Sequence, residues 1–135
     1  MKKVRQMSNE IQKSTRVSVV IPEALRKEMG DSMARSGYGL HSLSLWVSEA
    51  LKLLLENPKY PDLVKIGDSM SQFKKTLFIA LDPGLYEQLN KAVINVRTEF
   101  PVMDGVKSRL LRTAIIQRLL RPEGNIRSPN KTVTG

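Results

Sequence analysis

The chain carries one short pattern twice: an alternating apolar segment, a proline, and then two amphipathic stretches. In the first copy, Thr15-Arg16-Val17-Ser18-Val19-Val20-Ile21 reads as a strand. Successive side chains of a strand point to opposite faces, so Val17, Val19 and Ile21 share one face while Arg16, Ser18 and Val20 share the other. Pro22 stops the strand because it has no N–H for a ladder, yet it suits the first turn of a helix. A helix is expected over 23–36, with Leu25, Met29 and Met33 four apart and Glu23 near its positive end. Gly37-Tyr38-Gly39 is expected to end it, since glycine reaches the left-handed conformation of a helix stop. Ser42 or Ser44 is expected to cap a second helix, whose Leu43, Trp46, Val47, Ala50, Leu51 and Leu54 make a wide apolar stripe. Asn57-Pro58 closes it.

The second copy starts at Lys74. Lys75-Thr76-Leu77-Phe78-Ile79-Ala80-Leu81 places Leu77, Ile79 and Leu81 on one face, and Thr76, Phe78 and Ala80 on the other. Asp82 is expected to cap a helix with Pro83 in its first turn and Leu85, Leu89, Ala92, Val93 and Val96 on one side. Phe100-Pro101 breaks that helix. Asp104 or Ser108 then caps a last one through Leu110, Leu111, Ala114, Ile115 and Leu119, ending near Arg121-Pro122. Ile21 to Leu25 aligns with Leu81 to Leu85 at an offset of 60, whereas Ser44 with Ser108 and Ala50 with Ala114 align at 64. Four extra residues are therefore expected between the helices of the second copy, within an internal repeat.

A single copy of about 45 residues is near the lower limit for burying enough surface to fold alone. A lone strand also leaves its backbone N–H and C=O groups without partners. Both problems are removed if the two strands pair antiparallel over the four helices. The expected fold is mainly α with a two-stranded antiparallel β-ribbon, and its inner face is Val17, Val19, Ile21, Leu77, Ile79 and Leu81. The expected organisation is a basic flexible arm (1–13), a first repeat (14–56), a linker (57–73), a second repeat (74–121) and a flexible tail (122–135). Within the linker, Leu63, Val64 and Ile66 suggest a short packed helix.

Charge supplies the first functional clue. The chain has a net charge of +9 and a sequence pI near 10.0, which suits a polyanionic partner through counterion release. Residues 74–121 hold nine basic and four acidic side chains, net +5, against five and four, net +1, for 14–55. The halves are thus electrostatically unequal. Cysteine is absent, which excludes disulfides and thiolate metal sites. No apolar run approaches the roughly 20 residues that span a bilayer, and the basic start lacks the apolar stretch of a secretory signal. A cytoplasmic protein is expected. There is no glycine-rich phosphate loop, no metal-ligand spacing and no carboxylate pair, and His41 is the single histidine. No enzymatic activity, cofactor, metal or small-molecule substrate is therefore expected.

The strand–Pro–helix opening and the run Ser44-Leu45-Trp46-Val47-Ser48-Glu49-Ala50-Leu51 resemble the ribbon-helix-helix superfamily of Arc, MetJ and CopG. Both halves carry the resemblance, which covers residues 14–121. Two repeats in one chain, a single-chain pseudo-dimer, are similar to the TraY-like arrangement found in proteins that assist conjugative DNA processing. The resemblance implies a ribbon that enters the major groove, where every base pair shows a distinct pattern of donors and acceptors. It carries base reading onto Arg16, Ser18 and Val20 of one strand and Thr76, Phe78 and Ala80 of the other. Arg16 suits the O6 and N7 of guanine, Ser18 and Thr76 suit several bases, and Val20, Ala80 and Phe78 suit thymine methyl groups. This set is less polar than the family's usual one.

The resemblance also implies that the start of each second helix clamps the DNA backbone, where helix amides favour an anion. The matching positions are His41, Ser42, Leu43 and Ser44, and Val106, Lys107, Ser108 and Arg109, with Lys74 contributing from the start of the second strand. Lys2, Lys3, Arg5 and Lys13 read equally as an arm along DNA or as a solubilising tail. Because tethering sets one strand beside a different one, the expected partner is double-stranded DNA with an asymmetric site. Self-association on adjacent sites is a further possibility.

The expected function is a sequence-specific DNA-binding regulator of transcription, a repressor. One alternative is an accessory protein of conjugative, plasmid or mobile-element DNA processing. An alternative of another class is a protein-interaction adaptor or antitoxin, since Leu45, Leu53 and Leu55 extend the apolar stripe of the second helix. Trp46 reads as core rather than as a base-stacking platform, and no helix has the strongly basic face of a membrane-surface segment.

Overall fold

A computed structural model describes residues 14–39, 41–67 and 75–121. Strand β1 spans Thr15–Ile21 and is followed by α1 (Glu23–Arg35), α2 (Leu43–Glu56) and α3 (Tyr60–Gly67). Strand β2 spans Lys75–Leu81 and is followed by α4 (Pro83–Glu99) and α5 (Val106–Leu120). The two strands form one antiparallel two-stranded sheet. The fold is thus mostly helical with a small β-ribbon.

Alternation along both strands decides which side of the ribbon is covered. Val17, Val19, Ile21, Leu77, Ile79 and Leu81 are buried, while Arg16, Ser18, Val20, Thr76, Phe78 and Ala80 are exposed. In the register, Val17 lies opposite Ile79, Val19 opposite Leu77 and Ser18 opposite Phe78. A one-residue slip would turn the apolar set of one strand to water, so the pattern holds the register.

Beneath the ribbon the two central helices, α2 and α5, pack together, and they cross over between the halves of the chain: α2 lies against β2, and α5 against β1. Helix α1 packs on α5, and α4 packs on both α5 and α2. The core of Met29, Trp46, Val47, Leu51, Leu54, Leu89, Leu110, Leu111 and Ile115 is therefore built from both halves at once. Helix α5 is covered on most of its circumference, with Arg112 and Thr113 buried beside its apolar residues.

Helix ends follow local chemistry. Asp82 caps α4, its Oδ1 accepting from the Leu85 N–H at 2.8 Å, with Pro83 beside it. Pro22 is the N-cap of α1, directly before the expected start at Glu23, and its carbonyl accepts from the Leu25 and Arg26 N–H groups. Gly37, at φ 83°, ends α1; its N–H reaches the Ala34 carbonyl, and the Tyr38 N–H reaches that of Met33, a closure only a residue tolerant of the left-handed region makes cheaply.

Two expectations are corrected here. The extra residues of the second half extend a helix and not a connection: α4 has 17 residues and α1 has 13. Gly37 stops α1, whereas Val96 to Glu99 continue α4 by a turn in which Val96 is buried. The caps of the second helices also differ from those expected. Ser42 occupies the N-cap of α2 but makes no side-chain cap bond, and α5 is preceded by Gly105 at φ 59°, not capped by Asp104 or Ser108.

The connection between the halves contains α3, which packs on α2, α4 and α5. Val64 is fully buried, Asn95 Nδ2 donates to Tyr60 Oη at 2.8 Å, and Lys65 Nζ sits 4.9 Å from the centre of the Phe100 ring. Among the described residues no helix is long and apolar enough to cross a membrane.

Candidate nucleic-acid interface

The outer face of the ribbon is formed by three cross-strand pairs: Arg16 with Ala80, Ser18 with Phe78, and Val20 with Thr76. All six residues are exposed. The two largest apolar side chains among them stand out, Phe78 at 60% and Val20 at 36% exposure. Nothing in the core requires them there, and an exposed aromatic ring beside a cation is an unusual way to finish a solvated sheet.

Both strands of a two-stranded ribbon are edges, and each edge needs partners for its outward backbone groups. On β2, the Ala80 N–H donates to Ser44 Oγ at 2.8 Å. On β1, the Val20 carbonyl accepts from Arg112 Nη1 at 3.3 Å. The first contact sets the beginning of α2 beside the ribbon; the second, with the packing of α5 on β1, sets α5 beside the opposite edge. Ala80 and Val20 are themselves related by the offset of 60. The exposed ribbon face is thus flanked on each side by one of the two central helices.

The residues expected at the helix starts divide. Ser44 is committed to the Ala80 backbone and is not a free cap. Ser42 and Leu43 are half-buried, and His41 is exposed. Val106 is fully buried, so its side chain is unavailable to a phosphate. Lys107 and Ser108 are partly exposed, with Lys107 Nζ 5.4 Å from the centre of the Tyr86 ring. Arg109 Nε donates to the Asp104 carbonyl at 3.0 Å, which holds the guanidinium near the start of α5. Lys74 and the arm residues Lys2, Lys3, Arg5 and Lys13 lie outside the described residues.

Part of the basic excess of the second half serves the fold. Arg112 is 9% exposed. The Arg118 side chain, 11% exposed, pairs with Glu49 at 3.2 Å, and it donates to the Trp46 carbonyl at 2.8 Å and to Tyr38 Oη at 2.9 Å. Its guanidinium carbon lies 4.6 Å from the Trp46 ring centre, and Tyr38 Oη donates to Glu49. These contacts tie α5 to α2 and to the end of α1. The residues were missed as a group, though a signal existed. Arg118 falls three and four positions after Ile115 and Ala114, on the apolar stripe itself, where a cation needs a partner.

No group of side chains able to hold a metal ion occurs among the described residues. Comparison with protein-family models, with curated proteins and with solved structures finds no match.

Proposed function

We propose that the chain is a sequence-specific double-stranded DNA-binding protein that lays the β1–β2 ribbon in the major groove and represses transcription. In this reading the chain is two ribbon-helix-helix repeats in tandem, a pseudo-dimer in one polypeptide. Its strongest support is the ribbon face that the helices leave exposed, from which Arg16 and Phe78 project. The major groove, about 12 Å wide, admits a two-stranded ribbon. Arg16 supplies a fork for guanine, and Val20, Phe78 and Ala80 supply apolar contact for thymine methyl groups. The beginnings of α2 and α5, with Lys107 and Arg109, hold the backbone on either side.

Selection of bound duplexes from a random pool tests the reading. A defined, non-palindromic sequence bound with steep salt dependence supports it; uniform weak binding to all duplexes overturns it. The position of the selected sequence separates a repressor, at a promoter, from an accessory protein at a transfer origin. Leu45, 53% exposed on the first turn of α2, favours a second reading as a protein-interaction adaptor. An adaptor binds its partner with little response to salt or to Arg16→Ala.

A further inference from the structure

We propose that Phe78 selects a thymine at the centre of the DNA site by covering its C5-methyl group. The inference rests on the DNA-binding reading and goes further, by naming the base and the chemical group that the middle of the ribbon recognises.

Position comes first. Ser18 and Phe78 are the fourth residues of their seven-residue strands and lie directly opposite each other. Whatever the ribbon lies against, this pair meets its middle. The neighbours of Phe78 on the outer face are Thr76 and Ala80 along the strand, Ser18 across it, and Arg16 and Val20 on the diagonals. All but Arg16 are much smaller than phenylalanine, so no bulky apolar neighbour shields the ring, which is 60% exposed.

Chemistry then narrows the target. A phenyl ring neither donates nor accepts a hydrogen bond at a base edge. On the major-groove edges of the four bases, the one apolar group is the C5-methyl of thymine. Ser18, opposite, can hydrogen-bond to several bases and so discriminates weakly. The central specificity therefore falls to Phe78. Since the ring belongs to β2 and a serine stands at the matching place on β1, the methyl it covers lies on one DNA strand and not symmetrically on both.

The experiment uses the full chain and the duplex selected from the random pool. Each thymine is replaced in turn by deoxyuridine, which keeps every hydrogen-bonding atom and removes only the methyl group. At a central position the affinity should fall about three- to fivefold, the effect of exposing one buried methyl. Replacing a central cytosine by 5-methylcytosine should strengthen binding where the methyl reaches the ring. In Phe78→Ala, overall affinity falls and the central thymine-to-uracil ratio drops to about one; in Phe78→Leu, part of the ratio survives. Unfolding curves for both variants check that the outer-face change leaves the fold intact.

Sequence-specific binding with no thymine at the centre, or with a wild-type ratio of one, overturns the proposal while leaving the DNA reading in place. A ratio unchanged in both Phe78 variants also overturns it. Failure to select any duplex overturns the DNA reading, and this proposal with it.

Discussion

Ser18 and Phe78 face each other across the middle of the ribbon, and an offset of 60 along the chain carries one onto the other. The strand register and the spacing of the internal repeat thus agree at a single pair. The chemistry of the pair does not: a small hydroxyl meets a large exposed ring. A two-chain assembly of identical strands would place the same residue on both sides of that centre.

This register can be locked. Residues directly opposite on antiparallel strands have Cα atoms about 4.5–5.5 Å apart, within disulfide reach. The chain has no cysteine of its own, so Ser18→Cys with Phe78→Cys should oxidise to one intramolecular crosslink. It is read as a faster-migrating monomer band that a reductant reverses. Failure to close would contradict the register.

Arg16→Ala should leave thermal stability within about 0.5 kcal/mol of the parent, as for an exposed position away from the core. Loss of DNA binding should be much larger, about 1–3 kcal/mol if the guanidinium forks onto a guanine. The loss should be confined to duplexes with guanine at one end of the site. Fluorescence anisotropy at fixed salt, with guanine and 7-deazaguanine duplexes, separates this from a general loss of charge.

Lys107 is predicted to act on phosphate and not on a base. Lys107→Ala should weaken all duplexes alike and lower the slope of log K against log salt by about one. Arg118→Ala provides the contrast. If the folded fraction is held equal it should leave that slope unchanged, because Arg118 is engaged with Glu49, Tyr38 and Trp46.

Arg118→Met should destabilise the fold by about 2–3 kcal/mol, because it removes a partly buried charge with several hydrogen bonds and leaves Glu49 without its cation. Urea unfolding should show a lower midpoint with an unchanged slope. A stability equal to the parent would mean that the network contributes packing alone.

Ser44→Ala removes the hydroxyl that accepts from the Ala80 N–H. The expected loss is about 1 kcal/mol, together with faster amide exchange at Ala80. Exchange unaltered at Ala80 while stability falls would place the effect elsewhere.

Much of the architecture was legible in the order of residues because it depends on local periodicity. Alternation at 15–21 and 75–81 identifies both strands and their inner faces, and spacings of three and four identify the stripes of α2 and α5. Pro22, Asp82 and Gly37 mark boundaries by their own backbone chemistry. Such signals act over a few residues and need no knowledge of what packs where. Gly105, the N-cap of α5, carried little warning, since Asp104 before it and Ser108 three positions after it are stronger capping types. Gly105 takes φ 59°, a left-handed conformation that glycine adopts with no steric penalty and that aspartate or serine enters only at a cost.

What tertiary structure alone decided is which polar groups are consumed internally. Arg112 and Arg118 count toward the basic charge in any composition, yet one reaches the Val20 carbonyl and the other Glu49 and the Trp46 carbonyl, from residues far away in sequence. Ser44 looked like a helix cap and serves instead the edge of a strand 36 positions on. These outcomes depend on α2 and α5 crossing to opposite strands, a long-range choice made by collective burial of apolar surface. Side-chain type sets what a residue is able to bind; the distance at which the fold delivers a partner decides what it does bind.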